Sequence, residues 1–184
     1  MSIFSIVLVL LILIAAWLVW TYNRFIRHKN NVREAWSGID VQLKRRHNLI
    51  PNVIETVKGY LTHEQDTLDS LTRLRTGTGS SDSVSKIAKH ESNLSRAIGG
   101  ILAVAEGYPD LKASAGFLDL QQKLHETEEQ VQLARRYYNG TVRDWNVLVE
   151  SFPSNLIAGI FRFELAEYFE IELAMERALP KVDF

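Results

Sequence analysis

Residues 44–60 read KRRHNLIPNVIETVKGY. Three successive basic residues are followed by a proline, in the middle of a stretch that otherwise reads as helix. Apolar residues lead into it at helical steps, Val32, Trp36, Ile39 and Leu43. They continue after it at Ile50, Val53, Val57 and Tyr60, with Leu61, Leu68 and Leu71 beyond. The stripe stays in phase across Pro51. A helix newly begun at Pro51 would have Ile50 as its N-cap, a poor capping residue. The pattern therefore predicts one long helix, Asn23–Arg75, kinked at Pro51, because proline removes the hydrogen bond to the His47 carbonyl.

Arg46 breaks the stripe, standing where an apolar residue is expected. Its alkyl stem can lie on the core with the head reaching solvent. The sharper alternative is a buried network beside the kink, with Arg46 paired to a carboxylate and to freed carbonyls, which would fix register more than add stability. Lys44, Arg45 and Arg46 are also a candidate interaction patch.

Upstream, Ile3 to Trp20 reads IFSIVLVLLILIAAWLVW, without a charge. As a helix it spans roughly 27 Å, close to the hydrocarbon thickness of about 30 Å. Trp17, Trp20 and Tyr22 supply interfacial aromatics. A cleaved signal peptide would need a basic start and small residues at its end. No Lys or Arg precedes this run and its end is bulky, so a retained transmembrane anchor over residues 1–22 is expected. Arg24, Arg27, Lys29 and Arg33 follow the span, which predicts a short N-terminus outside and the remainder in the cytoplasm, at the inner membrane. These cations can also meet anionic headgroups.

The chain has 184 residues, with 21 Lys+Arg against 22 Asp+Glu and a net charge of −1. That balance argues against nucleic acid as a partner. With no cysteine, disulfides, thiol chemistry and cysteine-zinc sites are excluded. Four prolines in the whole chain favour an all-α fold.

TGTGSSDS (76–83) reads as a loop. Val84, Ile87, Ala88, Leu94, Ile98, Ile101, Leu102 and Ala105 then form the apolar face of a second helix, ended by GYPD (107–110). Gly99 and Gly100 either weaken that helix or let a neighbour approach closely. Leu120, Leu124, Thr127, Val131, Ala134, Tyr138, Thr141, Trp145, Leu148 and Phe152 give a third helix a heptad-like seam, stopped by FPSN (152–155). Tyr137 and Tyr138 are expected to pack in core and groove. The architecture predicted is an up-and-down helical bundle over 23–160 behind the anchor.

Residues 161–184 form an aromatic and acidic tail, in which short helices are expected. Phe161, Phe163, Tyr168 and Phe169 are candidate interaction residues there. They can cap the end of the bundle or meet the basic patch of a second copy. Docking on a membrane is disfavoured, because its glutamates repel anionic lipid.

NNVREAWSGIDVQLKRRHNLIPNVIETVKGYLTHE (30–64), AEGYPDLKAS with Phe117 and Leu120 (105–120), and ARRYYNGTVRDWNVLVESFPSNLIA (134–158) resemble, in order and spacing, the three signatures of the LemA family. The resemblance covers about residues 3–163. Gly99-Gly100 and the glutamate-rich tail depart from the pattern. It implies a single-pass bacterial membrane protein built of long helices, without an established enzymatic activity. It further implies a general link to membrane-protein quality control and, in magnetosome-forming bacteria, to organelle membranes.

Three His-Glu pairs, at His63, His90 and His125, invite a metal reading. The zinc-protease pattern H-E-x-x-H fails at Thr67, Leu94 and Glu129, and the di-iron pattern Glu-x-x-His fails at Tyr60, Ile87 and Gln122. Surface histidines are therefore expected, with no metal and no cofactor. His28 and His47, in basic surroundings, are read as solvated, with a pH response as the alternative. No G-x-S-x-G elbow or phosphate-binding loop is present. The expected function is a self-associating membrane scaffold or interaction protein, not an enzyme. The alternative is an adaptor of a quality-control protease or another integral membrane partner.

Overall fold

The computed structural model describes residues 3–60, 69, 71–74 and 82–170. Leu61, His63, Leu68, Arg75, the loop over 76–81 and the tail beyond Glu170 lie outside the described residues. The fold is all-α, with no strand among the described residues. Helix α1 runs Ile3–Lys58, α2 Val84–Ala105, α3 Pro109–Lys112, α4 Ala115–Glu150 and α5 Ser154–Phe161.

α1 passes through Pro51 without interruption, as the unbroken stripe requires. It stops earlier than expected, at Lys58 rather than Arg75. Gly59 and Tyr60 form a turn in which the Tyr60 N–H donates to the Val57 carbonyl at 3.0 Å. The entropic cost of helical glycine favours a stop there. α2 is capped by Ser83, whose hydroxyl accepts from the Lys86 N–H at 3.3 Å. It ends in the Glu106-Gly107 turn, and Pro109 opens α3.

α4 ends at Glu150, so Phe152 falls off the helix and stands 80% exposed instead of closing the seam. The residue before a proline is steered out of the helical region, which accounts for the early stop. Val142, not its neighbour Thr141, is fully buried on this face. Tyr138 is buried as expected, but Tyr137 is exposed. Gly99 and Gly100 are exposed, with nothing within 4 Å of the place a Cβ would take, so no close helix approach occurs there among the described residues.

The chain forms two compact units, and the division falls inside α1 and α4. One joins Met1–Ile39 to Ala134–Glu167. Within it α1 and α4 run antiparallel, Phe25 meeting Trp145 and Trp36 meeting Tyr138. Its core is Phe25, Trp145, Leu148, Ile157 and Ala158, with Trp17 and Phe163 packed against them. The other unit holds Asp40–Leu133 and the described chain from Tyr168 onward. Its core joins Ile50, Val53 and Val57 of α1 to Leu94, Ile98 and Ile101 of α2, Leu111 of α3, and Phe117, Leu120 and Leu124 of α4. Burying each such side chain contributes about 1.5–3 kcal/mol.

The tail is not helical where it is described. Arg162 adopts a left-handed conformation, φ 55°, ending α5 as the Phe163 N–H closes on the Ala158 carbonyl at 2.9 Å. Residues 163–170 then carry no helix. Side chains of α4 take their carbonyls: Trp145 Nε1–H donates to Glu164 at 2.9 Å and the Tyr138 hydroxyl to Glu167 at 2.9 Å. Asn146 pairs with both sides of one residue, donating to the Ala166 carbonyl at 3.1 Å and accepting from its N–H at 2.8 Å.

Candidate functional site

The apolar run at the start of α1 stands out first. None of its side chains is buried, and a window within it has a mean hydropathy of 3.0. Ile3 is 82% exposed and Trp20 61%. A folded chain rarely leaves such a surface to water. Its length and composition suit a membrane span.

Past Trp20 the surface changes character. Arg24, Arg27, Lys29 and Arg33 are all exposed. The Arg24 guanidinium lies 5.8 Å from the Trp20 ring centroid, and Lys29 Nζ 6.0 Å from that of Phe163. His28, half-buried beside them, has its pKa lowered from the usual value. Loss of hydration is the main cause, followed by the nearby Arg24 charge, with Asp144 opposing and Arg27 adding to it. His28 is thus not a freely solvated histidine.

In the same unit, Phe25, Trp145 and Phe163 form an aromatic knot. Phe25 stacks on Phe163 at 4.7 Å and meets Trp145 edge-on at 5.7 Å. Phe161 is half exposed, its ring 4.8 Å from that of Tyr22. The Tyr138 phenol is pushed up to about 12, first by burial and then by the nearby Glu167 carboxylate.

The other unit contains a buried charge network. Arg46 is 1% exposed and Glu91 is fully buried. Arg46 Nη1 donates to Glu128 Oε2 at 2.7 Å and to Ser95 Oγ at 3.1 Å. Its Nη2 donates to the Glu91 carbonyl at 2.9 Å and lies 2.9 Å from Glu91 Oε2, though without hydrogen-bond alignment. Glu91 Oε1 is 2.8 Å from His47 Nε2 and 3.7 Å from His90 Nδ1. The second Glu128 oxygen accepts from Gln132 at 3.0 Å. So Arg46 lies in a network rather than reaching solvent, and the carbonyl it takes belongs to α2, not to the turn beside Pro51. His47 and His90 are largely buried around Glu91, not surface histidines. His125 is exposed.

Of the remaining candidates, Lys44 pairs with Asp40 at 2.6 Å on the surface, and Arg45 is exposed. Arg46 is consumed inside its own chain. Phe163 is half-buried in the aromatic knot, Tyr168 is exposed and Phe169 is fully buried. The aromatic tail residues therefore do not form one exposed patch. A cleft of about 660 Å³ in the second unit is lined by Ile98, Leu102, Leu118 and Leu124, with the Arg46–Glu128 pair in its wall. Among the described residues, no group of three or more His, Asp or Glu side chains is arranged to hold a metal ion, the His47–Glu91–His90 cluster included.

The partner of Arg46 carries the same signal in the sequence. Glu91 sits in phase with Ile87, Leu94 and Ile98, as Arg46 sits in phase with Leu43 and Ile50. Opposite charges placed in the apolar stripes of two helices mark a buried pair.

The family model described as LemA family matches residues 35–184. The chain is 28% identical over 138 residues to "Protein LemA" of Metamycoplasma hominis, covering 74% of this chain and 63% of that protein. It is 23% identical over 181 residues to "Magnetosome protein MamQ 2" of Paramagnetospirillum magneticum, covering 84% and 66%. It is 19% identical over 178 residues to "Magnetosome protein MamQ" of Magnetospirillum gryphiswaldense, covering 83% and 65%. The chain thus spans just under two thirds of the length of these relatives.

Proposed function

Since the chain belongs to the LemA family and its first helix carries an apolar run in which no side chain is buried, we propose that it is a single-pass membrane-anchored helical scaffold without catalytic activity. The exposed run is the observation that carries this reading. A surface of that length and composition is stable in hydrocarbon and costly in water. The exposed cations after Trp20 support a cytoplasmic position for the folded part, at the bacterial inner membrane. The magnetosome proteins among the relatives support a place on a membrane.

Self-association completes the reading. A scaffold acts by presenting several copies of one surface, and the long helices offer extended faces for it. Carbonate extraction checks the anchor: the protein should remain with the membrane pellet. Cross-linking in native membranes checks assembly, with a ladder of multiples expected. Monomers at every concentration would remove self-association. Purification in mild detergent with one stoichiometric foreign protein attached would favour an adaptor of an integral membrane partner instead.

A further inference from the structure

Helix α5, SNLIAGIF, is apolar on both faces, yet the protein covers only one of them. Ser154, Ile157 and Ala158 are buried against the core of their unit. The opposite side presents Leu156 at 57% and Ile160 at 72% exposure, flanked by Phe152 at 80% and Phe161 at 53%. No charge occurs from Ser151 to Phe161. A helix hydrophobic all round is stable only when both sides leave water. Something other than this unit must cover the second side.

Its position identifies the cover. Ile157 and Ala158 share a cluster with Trp17 and Phe25, and the Phe161 ring lies 4.8 Å from that of Tyr22. α5 is therefore packed beside the part of α1 between Trp17 and Phe25, a rise of about 12 Å. The apolar run ends at Trp20, inside that interval. If Ile3–Trp20 spans the bilayer, α5 lies at the level where hydrocarbon gives way to headgroups. Exposed cations lie close by in the chain: Arg24 within that interval, Lys29 one turn beyond it, and Arg162 immediately after the helix. An apolar face with a basic rim is what an interfacial helix presents to lipid. Acidic residues flank the stretch as well, exposed Glu150 before it and Glu164 after it, but neither lies on the apolar face.

We infer that Phe152, Leu156, Ile160 and Phe161 form a second membrane contact, seating α5 in the bilayer interface beside the anchor. This inference rests on the anchor reading and can fail separately from it. The absence of cysteine allows single labels to be introduced at chosen places in the full chain. Ile160→Cys tests the face, Leu11→Cys tests the span, and Tyr137→Cys is an exposed control farther along α4. Each carries an environment-sensitive fluorophore in vesicles of phosphatidylcholine with phosphatidylglycerol. Quenching by nitroxide lipids labelled near the headgroup is compared with quenching by aqueous iodide. The Ile160 label should be quenched severalfold more by lipid than the Tyr137 label and severalfold less by iodide. A Leu11 label in lipid with an Ile160 label as iodide-accessible as Tyr137 would overturn the interfacial contact and leave the anchor standing. A Leu11 label open to iodide would overturn both. An Ile160 label shielded from lipid and iodide together, increasingly so at higher protein density, would assign this face to a second copy and also overturn it.

Discussion

A guanidinium and a carboxylate held away from water each lose several kcal/mol of hydration, recovered only if their geometry is good and their remaining groups are bonded. Arg46 meets that condition in part: Glu91, Glu128 and Ser95 hold its two terminal nitrogens, while its Nε–H and Glu91 Oε2 are buried without a hydrogen-bond partner. Removing one partner is then worse than removing both. Arg46→Met leaves Glu91 buried with His47 as its remaining close partner and should destabilise by roughly 3–5 kcal/mol. Adding Glu91→Met should recover much of that loss, since Glu128 is partly exposed and can hydrate. Urea midpoints of the detergent-solubilised chain measure both, and an additive double variant would mean that the two charges do not depend on each other. Tyr138 gives a pH test. Its pKa rises from 10 to about 12 on folding. Its contribution is therefore complete below pH 10 and lost as pH rises toward 12. Tyr138→Phe forfeits the bond to the Glu167 carbonyl, about 1 kcal/mol at neutral pH. Between pH 10 and 12 it should lose less stability than the parent, and parallel pH curves would contradict this. At this scale Arg46 was legible as an anomaly in phase. Its partners Ser95 and Glu128 were not, because contacts 49 and 82 residues away leave no local periodicity.

Elements were legible wherever local pattern and tertiary contact agree. The stripe through Pro51 requires a continuous α1, and Ser83 and the GYPD punctuation mark the ends of α2. The tail shows where that agreement fails. Glutamate, leucine and alanine give residues 163–170 good helix propensity. Trp145, Asn146 and Tyr138 instead hold the carbonyls of Glu164, Ala166 and Glu167, and those anchors lie 19 to 29 residues upstream. Non-local bonds override propensity there, and no local window contains them. Pro51 is a test at the same scale. Proline inside a helix costs about 3 kcal/mol relative to alanine. If it bends α1 without serving the core, Pro51→Ala should keep the helix content and raise stability by roughly 1–3 kcal/mol. Spin labels at the exposed positions Val41 and Lys58 should then move apart as the bend relaxes. Ile50 and Val53 are buried on either side of it. A variant that loses stability would show instead that this packing was built around the bend.

For the whole molecule, the decisive property is which side of the membrane carries the folded part. Arg24, Arg27, Lys29 and Arg33 crowd the end of the apolar run, and the structure leaves all four exposed. Near a span, such charges resist translocation, while acidic residues contribute little to the choice. The near-zero net charge of the chain therefore does not weaken the expectation, because orientation follows local cations rather than the sum. Once retained in the cytoplasm, the same cations meet the anionic inner leaflet, worth about 1 kcal/mol for each that comes close. Both effects favour a single orientation. Protease added to intact spheroplasts should leave the folded part uncut, and permeabilised cells should lose it. Replacing all four cations by glutamine should produce a mixed population, part of it cut from outside. Digestion of the parent chain in intact spheroplasts would place the bundle on the opposite face and remove the electrostatic part of the argument for α5 as well.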